Sequence, residues 1–233
     1  MNRRALQVVL LLAGRGVRLG GALPKCLTEL RPGQTILDRQ LLCLEGISDR
    51  PVIGVVGYRK ELIVRAHPAL RPVENHRYAQ TNTAVSLRLA LAEIEATDVL
   101  WLNGDVVFDR RIIPLVIAAG RSCMAVNKAK CGAEEIKYTT NGEGIITAVS
   151  KQVQHGEGEA VGINLIKAED LQLFKACLAE CDDLDYFERG LELAIGRGLR
   201  LYPLDIGALP CVEVDFPEDL ETARQLVVEG SVL

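Results

Sequence analysis

Apolar runs alternate with amphipathic stretches along most of the chain. Residues 6–13 form the first run, unbroken and closed by a glycine-rich turn. Continuous apolarity predicts a central parallel strand covered on both faces. Over 35–46, Ile36, Leu37, Gln40, Leu41 and Leu44 recur at three and four, and Gly46 follows, which predicts a helix and its end. A second buried strand is expected at 52–56, then a helix at 58–66 that stops before His67-Pro68. A weak strand is expected at 72–74. Residues 83–94 carry Val85, Leu87, Leu89, Leu91 and Ile94 and predict a helix. The next strand, 98–102, ends at Asn103-Gly104-Asp105. A helix at 110–119 and a strand at 122–127 continue the alternation.

The pattern then changes. Residues 134–140 and 144–151 predict two strands joined through Asn141-Gly142, a strong hairpin signal. Residues 159–166 are extended. Helical patterns return at 168–180 and 184–197, a late strand at 199–204 and a closing helix at 217–229. The loop at 152–158 is expected to be mobile. The sum is an α/β plan: a doubly wound mixed sheet, mostly parallel, with a small antiparallel β insertion at about 130–160, in one domain spanning 1–233. Ligands of such sheets collect beyond the carboxyl ends of the strands, which singles out 13–25, 103–105 and the segment before the last helix.

Composition narrows the class. A chain of 233 residues suits one well-filled core. Hydrophobic residues make up 48% but aromatics only 4%, so aliphatic side chains must fill that core. The net charge is -4 with no basic block, which argues against a nucleic-acid partner. The run Val8–Ala13 is too short to span a bilayer and is followed by charges and glycines, so no membrane partner is expected. The seven cysteines (26, 43, 123, 131, 177, 181 and 211) are odd in number and lack CxxC spacing. They read as free thiols among apolar neighbours, which suggests a reducing, cytoplasmic setting. The insertion offers apolar residues to the sheet or to a second copy, leaving a homodimer open.

Two features carry chemistry. Leu11 to Lys25 places glycines directly after the first strand, where they allow a tight turn and close approach of backbone N–H groups to a ligand. Ala13-Gly14 leaves room for a base or ribose, with Leu12 and Gly16 beside them. Arg15, Arg18 and Lys25 can meet a triphosphate. This is neither a P-loop nor a dinucleotide fingerprint. Asp105 at a strand end and Asp215 before the last helix are carboxylates that can converge on Mg²⁺. Taken singly, each also reads as a turn former or helix cap.

The string Leu11 through Gly20 with Pro24-Lys25-Cys26-Leu27 resembles the signature of the nucleotidyltransferases that activate sugar phosphates, phosphocholine and related phosphoesters. Leu12 and Val17 depart from its usual small and hydroxyl residues. Gly104-Asp105 and Glu213-Val214-Asp215 with Asp219-Leu220 resemble the same family's metal site. Asn75–Leu87 looks like a segment of the phosphocholine and 2-aminoethylphosphonate cytidylyltransferases. So do Glu134-Glu135-Ile136-Lys137, the strand ending at Lys151, Gly158–Ile163 and Tyr186-Phe187-Glu188.

The resemblance implies a Rossmann-like fold of the nucleotide-diphospho-sugar transferase type and a Mg²⁺-dependent cytidylyltransferase. Its substrates would be CTP and a small phosphonate or phosphoester: 2-aminoethylphosphonate, 2-hydroxyethylphosphonate or phosphocholine. It implies catalytic roles for Lys25, Arg15 and Lys151, and metal ligation by Asp105 and Asp215. Leu12, Ala13, Gly14, Gly16, Arg18, Asn82, Ser86 and Asn103 are implied at the nucleotide. Lys137, Glu135, Glu159, Tyr186 and Glu188 are implied at the acceptor. A sugar or polyol 1-phosphate acceptor, or a silent nucleotide-binding protein, are the alternatives.

Overall fold

The computed structural model describes residues 6–20, 22–128 and 135–228. Cys131 and Glu134 lie outside them. In chain order the elements are β1 (Leu6–Leu12), β2 (Glu29–Arg31), β3 (Gln34–Thr35), α1 (Ile36–Leu44), β4 (Ile53–Val56), α2 (Lys60–Ala66), β5 (Arg71–Glu74), α3 (Thr83–Ala92), β6 (Asp98–Asn103) and β7 (Val106–Phe108). There follow α4 (Ile112–Ala118), β8 (Cys123–Asn127), β9 (Lys137–Thr140), β10 (Ile146–Ser150), β11 (Glu159–Ile166), α5 (Ala168–Ala179), α6 (Phe187–Gly196), β12 (Tyr202–Asp205), β13 (Cys211–Glu213) and α7 (Pro217–Val228).

Among the described residues one mixed sheet dominates, ordered β10-β9-β11-β6-β1-β4-β5, with β8 beside β11 and β12 beside β8. β6, β1, β4 and β5 run parallel, and β12 is parallel to β8. β11 is antiparallel to both β6 and β8. The alternation of a strand splits the core into two layers. Val9 and Leu11 of β1 pack with Leu87 and Leu91 of α3 and with α5 and α6. On the other face, Val8, Leu10 and Leu12 pack with Leu37 of α1, Ile63 of α2 and Ile112 of α4. Trp101, wholly buried on β6, stacks on Phe174 of α5 and meets the edge of Phe187 of α6. This is where the scarce aromatics are spent.

Helix starts follow local chemistry. Thr35 caps α1 in a capping box with Asp38, its hydroxyl accepting from Asp38 N at 3.1 Å while Asp38 accepts from Thr35 N at 2.7 Å. Asn82 caps α3. The second predicted helix of the late pair begins at Phe187 and not at 184, because Tyr186 is still extended. The late strand begins at Tyr202, after the buried Leu199 and Leu201.

The insertion forms the expected hairpin, β9 against β10. Its turn is wider than Asn141-Gly142 alone implies: Asn141 Oδ1 accepts from Glu143 N and Ile145 N, and Gly144 takes the left-handed φ of 73°. The 152–158 loop is tied down. Glu157 accepts from Thr140 N at 2.6 Å and donates its own N–H to Tyr138 O at 2.9 Å. Two short antiparallel pairs go beyond the expected elements. One is β2 with β3; the other, β13 with β7, brings the last acidic segment against the strand-end loop after β6.

Among the described residues no helix is long and apolar enough to cross a membrane. Five of the six described cysteines are buried, and Cys211 is half-buried. Burial pushes the Cys26 and Cys123 thiols up to about 12, so they behave as core fillers and not as nucleophiles.

Candidate active site

A cleft of about 540 Å³ opens beyond the carboxyl ends of β1 and β6. That is within the usual size of small-ligand sites. Its floor is Leu11, Ala13 and Gly14, and one wall is the loop from Gly16 to Lys25. Gly16 is left-handed at φ 58°, and a Cβ there would lie 2.8 Å from Lys25 Cβ. Glycine therefore lets the Lys25 stem pack against the loop and turns its ammonium inward.

Lys25 Nζ meets Asp105 Oδ2 at 2.6 Å and Asp215 Oδ1 at 2.5 Å. Three motifs separated by up to 190 residues thus converge on one ammonium. The backbone explains why. Gly104 N donates to Leu11 O at 3.1 Å, and a Cβ on Gly104 would lie 2.5 Å from that oxygen. Gln40 of α1, fully buried, donates through Nε2 to Asn103 O and Val106 O at 2.8 and 2.9 Å, holding the Asp105 loop from below. Val214 N donates to Asp105 O at 2.9 Å, and Glu213 pairs with Val106 in the β13–β7 ladder. Asp219 accepts from the N–H groups of Asp215 and Phe216, which satisfies the start of α7 and leaves the Asp215 carboxylate free to face Lys25.

Burial works against the Lys25 charge, but the Asp105 and Asp215 carboxylates outweigh it and raise the Lys25 pKa. Asp105 Oδ1 is buried and has no hydrogen-bond partner. Arg18 adds a longer contact, 3.5 Å to Asp215 Oδ2, with its guanidinium over the Phe216 ring. Among the described residues no cluster of three or more His, Cys, Asp or Glu is arranged for a metal. The Asp105–Asp215 pair still fits a hard divalent cation, because the orphaned Oδ1 lacks a partner and phosphate oxygens and water can complete an octahedron.

Glu213 belongs to the late acidic motif but is given no role of its own by it, yet it lines the cleft. Asn103 Nδ2 donates to its Oε1 at 3.2 Å. Burial raises its pKa well above the usual carboxylate range, and Asp105 and Asp215 push the same way. A signal exists in the sequence: Glu213 and Asp215 alternate with valines, so both side chains project to one side. Tyr78 also lines the cleft unforeseen, set against Gly57, where a Cβ would lie 2.6 Å from Tyr78 Cβ.

The far wall is built by α3, the hairpin and α6. Asn82 and Ser86 line it, and buried Asn75 donates to both Ser86 Oγ and Thr81 Oγ1 at 3.0 Å. Phe187 N donates to Thr83 Oγ1 at 3.0 Å, joining the starts of α3 and α6. Glu135, Lys151, Tyr186 and Glu188 face the same cavity. Lys151 Nζ lies 5.6 Å from the Tyr186 ring centre. Glu188 is buried at 7% exposure, and its Oε2 has no partner. Burial pushes its carboxyl up to about 7, against weaker opposing pulls from its own backbone N–H and Lys151.

Four expected residues do not line the cleft. Leu12 alternates with Leu11 and so points into the opposite layer, with Val8 and Leu10. Arg15 turns outward, its guanidinium 5.7 Å from the Tyr58 ring centre. Glu159 and Lys137 are Cα partners between β11 and β9. On β11 it is Ala160 and Gly162, of the other parity to Glu159, that line the cavity.

A model of the MobA-like NTP transferase domain matches residues 8–162. The chain belongs to that family. It is thus a nucleotidyltransferase domain, and the matched span runs from β1 through the glycine loop and Asp105 into β11. The bifunctional protein GlmU of Acaryochloris marina is 34% identical over 104 residues, 43% of this chain and 23% of that protein. GlmU of a Synechococcus strain is 35% identical over 109 residues. The chain spans less than a quarter of the length of these curated relatives. Two solved structures share the fold at a TM-score of 0.75 and 18% identity. One is the inositol-1-phosphate CTP transferase of T. maritima, with 97% of this chain and 98% of that one covered. The other is the CTP:phosphocholine cytidylyltransferase LicC of Streptococcus pneumoniae, with 96% and 99% covered.

Proposed function

We propose that this chain is a Mg²⁺-dependent cytidylyltransferase that joins CTP to a small phosphonate or phosphoester and releases pyrophosphate. The observation that carries the reading is the convergence of Lys25, Asp105 and Asp215 at the mouth of a glycine-walled cleft. The Asn75–Leu87 segment, which resembles cytidylyltransferases, forms the wall opposite that loop and supports CTP as the nucleotide.

In this reading the base and ribose lie over Ala13 and Gly14, near Asn82 and Ser86. Lys25 and Arg18 hold the triphosphate and stabilise the leaving pyrophosphate. Lys151 meets the acceptor's phosphoryl group, and Glu135, Tyr186 and Glu188 surround its other end. Asp105 and Asp215 would hold Mg²⁺, and what the metal supplies is charge compensation between the two reacting anions. An ionised acceptor oxygen attacks the α-phosphorus. The bond from that phosphorus to the oxygen bridging the β-phosphate breaks, and pyrophosphate leaves with the bonding electrons. No protein nucleophile and no proton transfer are needed. The roles of the aligned groups are orientation and electrostatics.

Pyrophosphate release from CTP, UTP, GTP and ATP, each offered with every acceptor class, tests the reading. The expected result is CTP preferred at least tenfold with a phosphonate or choline-type acceptor. Preference for UTP with a hexose phosphate would overturn it. A polyol 1-phosphate acceptor is the second reading, supported by the shared fold with an inositol-1-phosphate CTP transferase.

A further inference from the structure

Two jobs in the cleft draw on the same side chains. In the reading above, Asp105 and Asp215 hold a divalent ion while Lys25 and Arg18 hold phosphates. In the structure the two cations sit on the aspartates instead. Lys25 Nζ bridges Asp105 Oδ2 at 2.6 Å and Asp215 Oδ1 at 2.5 Å. The Arg18 guanidinium lies 3.5 Å from Asp215 Oδ2. The fourth oxygen, Asp105 Oδ1, is buried.

Each oxygen of the pair is thus either taken by a cation or buried. A Mg²⁺ ion shared by two carboxylates needs an oxygen of each within about 2.1 Å. The Lys25 ammonium already fills the position between Asp105 Oδ2 and Asp215 Oδ1. Only 14% of its side chain is exposed, so water screens little of its repulsion for a second cation.

Resting on the cytidylyl-transfer reading above, we infer that Lys25, with Arg18 beside it, is the resident counter-cation of the metal site and yields that site only when a triphosphate draws both cations onto its phosphates. The Lys25 stem packs against Gly16 of the glycine loop. Its flexible stem lets the ammonium pivot from the aspartates to a phosphate over that loop while the backbone stays in place. Metal and nucleotide then bind with positive coupling, each raising the affinity for the other by the same factor.

The test reads metal binding directly, with Mn²⁺ as the probe and no acceptor present, so that nothing turns over. Electron paramagnetic resonance follows Mn²⁺ titrated into wild type, Lys25→Met and Lys151→Met without nucleotide. Lys25→Met keeps the length of the side chain and frees an oxygen on each aspartate, and it should bind Mn²⁺ about tenfold or more tighter than wild type. Lys151 lines the same cleft but meets the Tyr186 ring and pairs with neither aspartate. Its loss to Met removes an equal charge and should shift the affinity by less than about threefold. Equal affinity in wild type and Lys25→Met, or an equal gain in Lys151→Met, overturns the inference and leaves cytidylyl transfer standing.

Crystals of wild type decide the matter even if the variant fails to fold. Soaked with Mn²⁺ alone, they should show no anomalous peak between Asp105 and Asp215. Soaked with Mn²⁺ and CTP, they should show that peak, with Lys25 Nζ turned to the phosphates. A peak with Mn²⁺ alone overturns the inference. No peak in either soak overturns both readings.

Discussion

Lys25 sits between two carboxylates that would otherwise repel each other, and Asp105 keeps one oxygen unpartnered beside it. That arrangement is informative because each residue taken alone has an ordinary structural explanation. The glycine-loop string and the two aspartates are legible in the sequence as motifs. What motifs cannot give is orientation. Leu12 is expected at the nucleotide, but one step of strand alternation hands that place to Leu11. Arg15 is expected at the phosphates, but it rests on Tyr58.

Glu188 yields a prediction that needs no substrate. It is an acid whose folded value is pushed up to about 7 from an ordinary 4.5. Between those values the native chain keeps a proton that the unfolded chain has released. Its contribution to stability is therefore full below about pH 4.5 and is lost as pH rises to about 7. Glu188→Gln does not titrate. Thermal melts should show the variant level with wild type near pH 4 and higher in Tm by a few degrees at pH 8. A variant that loses stability more steeply than wild type as pH rises would contradict the assignment.

The large alternating elements are readable because each spans several periods of its pattern. The pair β7 and β13 is not, since three residues such as Val106-Val107-Phe108 carry too little periodicity to separate a strand from the tail of a turn. Yet this pair sets the site, as it seats Asp215 against the Asp105 loop. The same loop is held from below by α1 through Gln40. Gln40→Met keeps the volume and removes both donors, leaving two buried carbonyls unpaired at a cost of about 1–3 kcal/mol each. The expected outcome is a Tm lowered by several degrees and a higher Mg²⁺ concentration for half-maximal turnover. Thermal melts and a Mg²⁺ titration check it. An unchanged titration in a destabilised variant would mean that α1 supports the fold and not the aspartate.

Across the whole molecule, the two-layer core is foreseeable from the continuous apolarity of β1 and β6, because only a strand covered on both faces tolerates it. The cleft lies where such a sheet places ligands, beyond the strand ends, and its walls come from segments spread over most of the chain. The end of the cleft walled by the hairpin and α6 is the least legible part. Lys137 and Glu159 fall on strand positions whose outward or inward sense depends on the bulge at Gly162, which takes φ 71°. The central claim is that Asp105 and Asp215 act together on a metal-dependent transfer. Its most direct test is Mg²⁺-dependent pyrophosphate release from CTP, with the preferred acceptor, by wild type, Asp105→Ala and Asp215→Ala, each shown by circular dichroism to be folded. The expected result is a loss of about a thousandfold or more in both folded variants. Wild-type activity in either one would contradict it.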